Sequence, residues 1–387
     1  MPATFDDLTA LRERHFGFAL DFVARRTGID AARLVAIEAG AAPNVYEIEQ
    51  LATTYGIDEP DDLIDSPIRL SPADSMTVLA QHAEFRDVAS DTRAHILAAG
   101  QAARDIVVLR GILGDELPTT RHAGPASAPR ETAFQQGARR AQWLRTKLAL
   151  GSDPILSMRD LVTDSFPEIT LLYAHLGSDG VAGLAFGDRV RGPSIVLNLD
   201  GKNANALVRR FSLAHELAHL LFDWNRAEPF GQLSGFKDDR QLRVEQAANA
   251  FALRLLCPEA RARRVAKHSE PMLAVTELSR EWGIHFDAGR LYLKNVANID
   301  VPRDPSQALL AAQTRGDWAR AEDPELDRFP ISQTPPERRT VVARLAASAY
   351  AKDLISRDRF ARLLGVTPAA ALESVLDLYS LDPPQAA

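Results

Sequence analysis

The residues most able to carry out chemistry lie in one short segment, His215-Glu216-Leu217-Ala218-His219. In an α-helix, residues four apart lie on the same face, so His215 and His219 can bind one metal ion through neutral imidazole nitrogens. Glu216 would face the water that such an ion activates, and it would act as a base without ligating the metal. The spacing therefore predicts a metal-dependent hydrolytic centre on a helix.

The residues around this segment argue against a chance match. With nine histidines in the chain, a chance occurrence has a frequency on the order of one per cent. The neighbours are mostly apolar, which predicts a buried helix: Phe211, Leu213, Ala214, Leu217, Leu220, Leu221 and Phe222. Two histidines in a buried helix cost free energy unless each has a polar partner, and a metal ion supplies one for both.

A third ligand is needed, and the other seven histidines fall at no useful spacing. The next predicted helix, from about residue 240 to 256, contains one acidic residue, Glu245, after Asp238 and Asp239 in the preceding loop. A carboxylate in this apolar helix favours a paired role, so Glu245 is the predicted third ligand; the alternative is an ordinary solvent-facing glutamate at a helix start. Asn249, on the same face, is expected to orient a ligand.

The surrounding elements predict a mainly α protein with a small antiparallel β-sheet (α+β). Three short runs rich in β-forming residues precede the motif helix, and turn signals separate them; they span residues 169–176, 181–186 and 194–199. The motif helix is expected from about residue 204 to 222. A polar loop follows it, and most of the remaining chain shows helical periodicity.

Composition and charge exclude several classes of protein. The 387 residues are 46% hydrophobic and 25% charged, which is ordinary for a globular chain. The sequence predicts neither a membrane span nor a secretory signal. The single cysteine, Cys257, excludes an internal disulfide, fits a cytoplasmic location and is expected to fill the core.

Shifts in composition divide the chain into four predicted parts. Residues 1–66 form an acidic helical domain, and residues 67–130 form a helical connector that ends in a linker rich in Pro, Gly and Ala. Residues 131–298 contain the motif helix and form the catalytic domain. Residues 299–387 form a C-terminal helical domain.

Residues 210–221 and 245–252, with Pro258 after them, resemble the ImmA/IrrE family of bacterial zinc metallopeptidases. The resemblance covers about residues 135–295. It implies a zincin-like core flanked by helical modules, with Zn²⁺ as the cofactor. The implied zinc ligands are His215, His219 and Glu245, and the implied general base is Glu216. The family usually has Gly where Ala218 stands and often Met where Cys257 stands, and neither change replaces a ligand.

The resemblance implies a zinc-dependent endopeptidase that cleaves a protein partner, such as a helix-turn-helix repressor or an antitoxin-like regulator. Relief of repression in a stress response is one setting, and toxin–antitoxin or phage-defence systems are others. A proton donor or oxyanion stabiliser is also expected. Tyr173 and His175, on a predicted strand, are candidates by residue type only, because such residues are usually structural.

Residues 18–57 resemble an Xre-type helix-turn-helix, with Gly28 in the tight turn. The alternative function is therefore a DNA-binding transcriptional regulator whose peptidase-like domain is a sensor. Charge disfavours it, because residues 1–65 carry five basic and thirteen acidic residues, and the predicted recognition helix offers only Arg33. We expect this module to bind protein, either a substrate or a second copy of itself.

Residues 337–362, with seven basic and three acidic residues, are a more plausible place for nucleic acid to bind. The spacing of Ala361 and Gly365 repeats that of the N-terminal turn. The alternative is a solvated basic helical bundle.

Overall fold

The computed structural model describes residues 3–5, 7–57, 60–64, 67–115, 124–125, 130–178, 180–235, 242–303 and 316–384. These residues form many helices and one four-stranded sheet, so the predicted fold class, mainly α with a small β-sheet, is confirmed. Most of the predicted linker at residues 117–130 lies outside the described residues, and so do Asp238 and Asp239.

The described N-terminal part contains two short strands and a series of helices: β1 (Ala3–Phe5), α1 (Leu8–Ala10), a π-helical turn (Leu11–Phe16), α2 (Leu20–Thr27), α3 (Ala31–Glu38), α4 (Val45–Tyr55), β2 (Ile68–Leu70), α5 (Ser75–Leu79), α6 (Ala83–Asp87) and α7 (Ser90–Leu113). The middle part contains the sheet and the motif helix: α8 (Ala133–Lys147), α9 (Met158–Ser165), β3 (Thr170–Ala174), β4 (Gly183–Gly187), β5 (Ser194–Asn198), α10 (Ala206–Ala218), β6 (Phe230–Ser234), α11 (Arg243–Leu256), α12 (Glu259–His268), α13 (Pro271–Trp282) and α14 (Phe286–Ala297). Helices dominate the described C-terminal part: α15 (Gly316–Ala321), α16 (Val341–Ala351), α17 (Arg357–Leu363) and α18 (Glu373–Leu378).

The four-stranded sheet is mixed, whereas the sequence predicts an antiparallel sheet. Its strand order is β3-β5-β4-β6. Strand β4 pairs antiparallel with both β5 and β6, but β3 pairs parallel with β5. Two chain reversals separate β3 from β5, so the two strands run in the same direction when they become neighbours. Strand β6 lies in the region predicted as a polar loop.

The sheet is buried on both faces, and this explains its nearly continuous apolar strands. One face packs against the N-terminal helices and the helices after residue 340, through Leu172, Leu184, Val196 and Leu233. The other face, which includes Ile195, packs against helices α8 to α14. The sheet therefore joins the motif helices to the flanking helical segments; the predicted domain boundaries stay predictions.

The two helices that carry the predicted ligands pack closely within this core. Asn205 caps the N-terminus of α10 by accepting a hydrogen bond from the backbone N–H of Leu207 at 3.0 Å. Helix α11 lies against α8, where a Cβ atom added to Gly137 would lie 2.3 Å from the carbonyl oxygen of Ala247. Glycine at residue 137 therefore permits the crossing that holds α11, and with it Glu245, in place.

A buried ion pair fixes α10 against the C-terminal part. The fully buried guanidinium group of Arg210 lies 3.3 Å from the Glu322 carboxylate. That carboxylate also accepts a hydrogen bond from the backbone N–H of Met158 at the start of α9, at 2.7 Å. Removing one partner of such a pair would leave an uncompensated buried charge, so these contacts hold the motif helix in one position.

None of the helices in the described residues combines the length and apolarity that crossing a membrane requires.

Candidate metal centre

His215, His219 and Glu245 converge on one point. Nε2 of His215 lies 3.0 Å from Nε2 of His219. The two oxygens of Glu245 lie 3.1 Å from Nε2 of His215 and 3.2 Å from Nε2 of His219. All three residues are buried. The structure thus places Glu245, the predicted third ligand, beside the two histidines.

The geometry and the donor types fit a metal ion. Ligands about 2.1 Å from a tetrahedral ion lie ~3.4 Å from one another, close to the 3.0–3.2 Å separations of these donor atoms. Two imidazoles and one carboxylate are also the donors of several catalytic zinc sites, which keep a fourth position open. A cleft of about 490 Å³, lined by His215 and Glu245, gives access to this position.

Contacts within the cluster shift the pKa values of His219 and Glu245. Burial alone would lower the pKa of His219, but hydrogen bonds to Asp223 and Glu245 outweigh burial and raise that pKa to about 10. Burial would raise the pKa of Glu245, but hydrogen bonds from His215 and His219 lower it to about 2. A divalent cation can replace the protons that hold such groups together, since metal binding releases protons from its ligands.

Glu216 lies in the same cleft and is fully buried. Neither of its carboxylate oxygens makes a hydrogen bond of ordinary geometry within the described residues, although the Ser234 hydroxyl, which lines the same cleft, interacts with the carboxylate and lowers its pKa. Burial raises its pKa, the charges of His215 and His219 lower it, and burial dominates. A Cβ atom added to Gly183 on β4 would lie 3.2 Å from Oε1 of Glu216, so glycine leaves room for this carboxylate. A buried carboxylate with free lone pairs is suited to accept a proton.

Asp223 is a residue that the sequence analysis missed. Helix α10 continues into a π-helical turn (His219–Asp223), which brings the Asp223 side chain next to the second histidine. Nδ1 of His219 donates to Oδ2 of Asp223 at 3.0 Å, and Arg140 bonds the other oxygen at 3.1 Å. Asp223 therefore fixes the tautomer of His219 that presents a lone pair on Nε2. Its position four residues after His219 was a signal in the sequence.

Gln232, rather than Asn249, contacts the third predicted ligand. Nε2 of Gln232 on β6 donates to Oε1 of Glu245 at 3.3 Å. Asn249 lines the cleft, but its side chain makes no hydrogen bond within the described residues. The expected orienting contact from Asn249 to Glu245 is therefore not present, because β6 approaches Glu245 instead.

The two candidate proton donors do not line the cleft. Tyr173 is buried within the core packed around α10 and α11. His175 is exposed, and its Nδ1 lies 2.8 Å from Oδ1 of Asp200. Cys257 is buried in the same core as Tyr173 and is not among the cleft residues, as expected of a core-filling side chain.

We expect Asp223→Ala to weaken zinc binding by about 10- to 100-fold, because His219 loses the acceptor that fixes its ring. Competition with a chromophoric chelator measures this affinity. Asp164→Ala removes an exposed carboxylate outside the cleft and should leave the affinity unchanged. An unchanged zinc affinity in Asp223→Ala, with a normal melting temperature, would show that the Asp223 contact does not support the site.

A comparison with known protein families agrees with this geometry. The family model described as the IrrE N-terminal-like domain, of the M78 peptidases, matches residues 167–290, about a third of the chain. No curated protein and no solved structure matches the chain. The matched segment contains His215, Glu216, His219 and Glu245. Over residues 167–290, the chain is therefore similar to the ImmA/IrrE family of metallopeptidases.

Proposed function

We propose that this chain is a zinc-dependent endopeptidase that hydrolyses a peptide bond in a protein partner, a transcriptional repressor or an antitoxin-like regulator. The observation that carries the proposal is the convergence of His215, His219 and Glu245 beside the buried Glu216, which lines the same cleft. The match to a peptidase family supports the same reaction.

The residues of the cleft have separate roles in this reaction. His215, His219 and Glu245 would hold Zn²⁺, which when bound lowers the pKa of water to about 7 and polarises a carbonyl group. Glu216 accepts the proton of the attacking water and passes it to the leaving amine. Asp223 and Gln232 keep the ligands in place by the hydrogen bonds described above.

The rim of the cleft supports a peptide as the substrate. Four glycines line it: Gly177, Gly180, Gly201 and Gly235. At Gly180 no described atom lies within 4 Å of the place where a Cβ would stand, so a substrate backbone can approach that part of the wall closely. The apolar side chains of Val208 and Phe211 also line the cleft and offer contact area for a substrate side chain.

Incubation of the zinc-loaded protein with the repressor-like product of a neighbouring gene tests the proposal, with mass spectrometry to map any cleavage. We expect one or a few cuts, and none after treatment with a metal chelator. Absence of cleavage both in the repressor-like protein and in a broad library of internally quenched peptides would contradict the proposal.

Contacts in the N-terminal module favour the peptidase over a DNA-binding regulator. The guanidinium group of Arg33 bonds both carboxylate oxygens of Glu47 at 2.8 Å, which lowers the pKa of Glu47 to about 2. The exposed positions of α3 include Ala31, Ala32 and Val35, which offer no hydrogen bonds to base edges. In the C-terminal basic segment, Arg338 pairs with Asp105 and Arg357 with Glu373.

We therefore expect the full chain to show no sub-micromolar binding to duplex DNA at physiological salt, because its basic side chains near α3 are few or already paired. Fluorescence anisotropy of a labelled duplex, titrated at two salt concentrations, measures this. Arg33→Ala should give the same titration as the wild type. Tight binding that falls steeply with salt would favour the DNA-binding regulator.

A further inference from the structure

Asn249 lies one helical turn after Glu245 on α11 and lines the same cleft as His215 and Glu216. Its side chain is half-buried. A carboxamide taken out of water costs free energy unless its donors and acceptor find partners. The hydrogen-bond partners of the Asn249 carboxamide therefore indicate the role of this residue.

Within the described part of the chain, the carboxamide of Asn249 has no hydrogen-bond partner. The two other asparagines of the cleft are already bonded. Nδ2 of Asn198 donates to the carbonyl oxygen of Gly177 at 2.8 Å. Oδ1 of Asn203 accepts a hydrogen bond from the hydroxyl of Ser212 at 3.0 Å. Asn198 and Asn203 hold the protein's own segments together, whereas the Asn249 amide bonds no described segment.

Peptide hydrolysis needs a donor of the kind that Asn249 offers. Attack on a peptide bond moves negative charge onto the carbonyl oxygen, and a fixed N–H donor next to this oxygen lowers the barrier. Tyr173 and His175, which the sequence proposes for the role, do not line the cleft. Gln232 already orients Glu245, so Asn249 is not occupied by that task.

We infer that the side-chain amide of Asn249 donates a hydrogen bond to the carbonyl oxygen of the scissile peptide bond. This inference rests on the proposed peptidase function. The contact strengthens as negative charge develops on that oxygen, so Asn249 acts on the reaction step more than on the affinity for the substrate. A packed helix carries Asn249, so the position of its backbone relative to the predicted ligands is fixed.

Lys202 is a competing donor in the cleft. Its ammonium group lies on the rim and is exposed. A lysine has a flexible four-carbon stem, so the position of its ammonium group before the reaction is less well defined than that of the shorter asparagine side chain. The experiment below includes Lys202 for this reason.

The test compares kcat and KM of the zinc-loaded wild type, Asn249→Ala and Asn249→Leu on the internally quenched peptide that the wild type cleaves fastest. Leucine keeps the side-chain volume and removes both donors. We expect kcat to fall about 100-fold in both variants, as for the loss of one oxyanion donor, with KM changed by less than about threefold. A phosphinic analogue of the same peptide should bind more weakly by a factor similar to the fall in kcat.

Zinc content separates a contact with substrate from a structural role. We expect both Asn249 variants to keep the zinc content of the wild type, and the exposed Asn225→Ala to keep its activity. Unchanged kcat in the Asn249 variants, zinc loss parallel to activity, or a 100-fold loss in Lys202→Ala alone would overturn the inference. If the wild type neither binds zinc nor cleaves any peptide, the proposed function itself fails, which is a different result.

Discussion

Glu216→Gln is expected to lower kcat by about 10²- to 10⁴-fold while the protein keeps its zinc and its fold. The amide has the shape of the carboxylate but accepts a proton far less readily, so the attacking water loses its base. The fold should tolerate the change, because the fully buried carboxylate makes no hydrogen bond of ordinary geometry within the described residues, and a neutral amide is less costly to bury than a charge. Hydrolysis of the quenched peptide and metal analysis of the same sample measure both effects.

Glu337→Gln is the matched control for this prediction. Glu337 is also buried, and burial raises its pKa, but it lies in the C-terminal helical part and does not line the cleft. We expect this variant to cleave the peptide at the wild-type rate. Loss of zinc in Glu216→Gln, to the extent seen when a histidine is removed, would show that Glu216 is a ligand rather than the base.

Glu245→Ala is expected to weaken zinc binding by more than ~100-fold, beyond the effect of losing a group that only orients a ligand. Its two oxygens face both histidines, and alanine leaves the metal with two protein ligands. Activity should disappear at zinc concentrations that saturate the wild type. Chelator competition gives the affinity, and titration with zinc during the assay shows whether activity returns.

Glu259→Ala serves as the control for Glu245→Ala. Glu259 bonds Arg254 and Arg263 at the start of α12 and does not line the cleft, so zinc affinity should not change. A larger loss of zinc in Asp238→Ala or Asp239→Ala than in Glu245→Ala would place the third ligand in the loop before α11.

The sequence predicted the site best where local patterns determine it. A four-residue spacing on a helix is a local property, so His215 and His219 were recognisable at once. Glu245 stood out because it is the only acidic residue in a helix whose other residues are mostly apolar. The helices that carry these residues were also predicted to within a few residues of α10 and α11, since apolar periodicity and Pro258 determine their extent.

Contacts between residues far apart in the sequence were harder to predict. The parallel pairing of β3 with β5 depends on which strands meet after two reversals, and no local pattern records it. Strand β6 contains Gly231 and Gln232, residue types that are common in loops, so the strand was not predicted. Gln232 contacts Glu245 from this strand. The spacing of Asp223 four residues after His219 could have predicted their contact. The residues between them form a π-helical turn at the end of α10 rather than a regular helix.

Metal analysis of the full chain is the most direct experiment on this site. The protein is purified without chelator, incubated with zinc, freed of unbound ions and measured by inductively coupled plasma mass spectrometry. Because His215, His219 and Glu245 converge on a single point, we predict one tightly bound zinc ion per chain. Protein that contains no zinc after purification and takes up none on addition would contradict the metal centre and the peptidase function built on it.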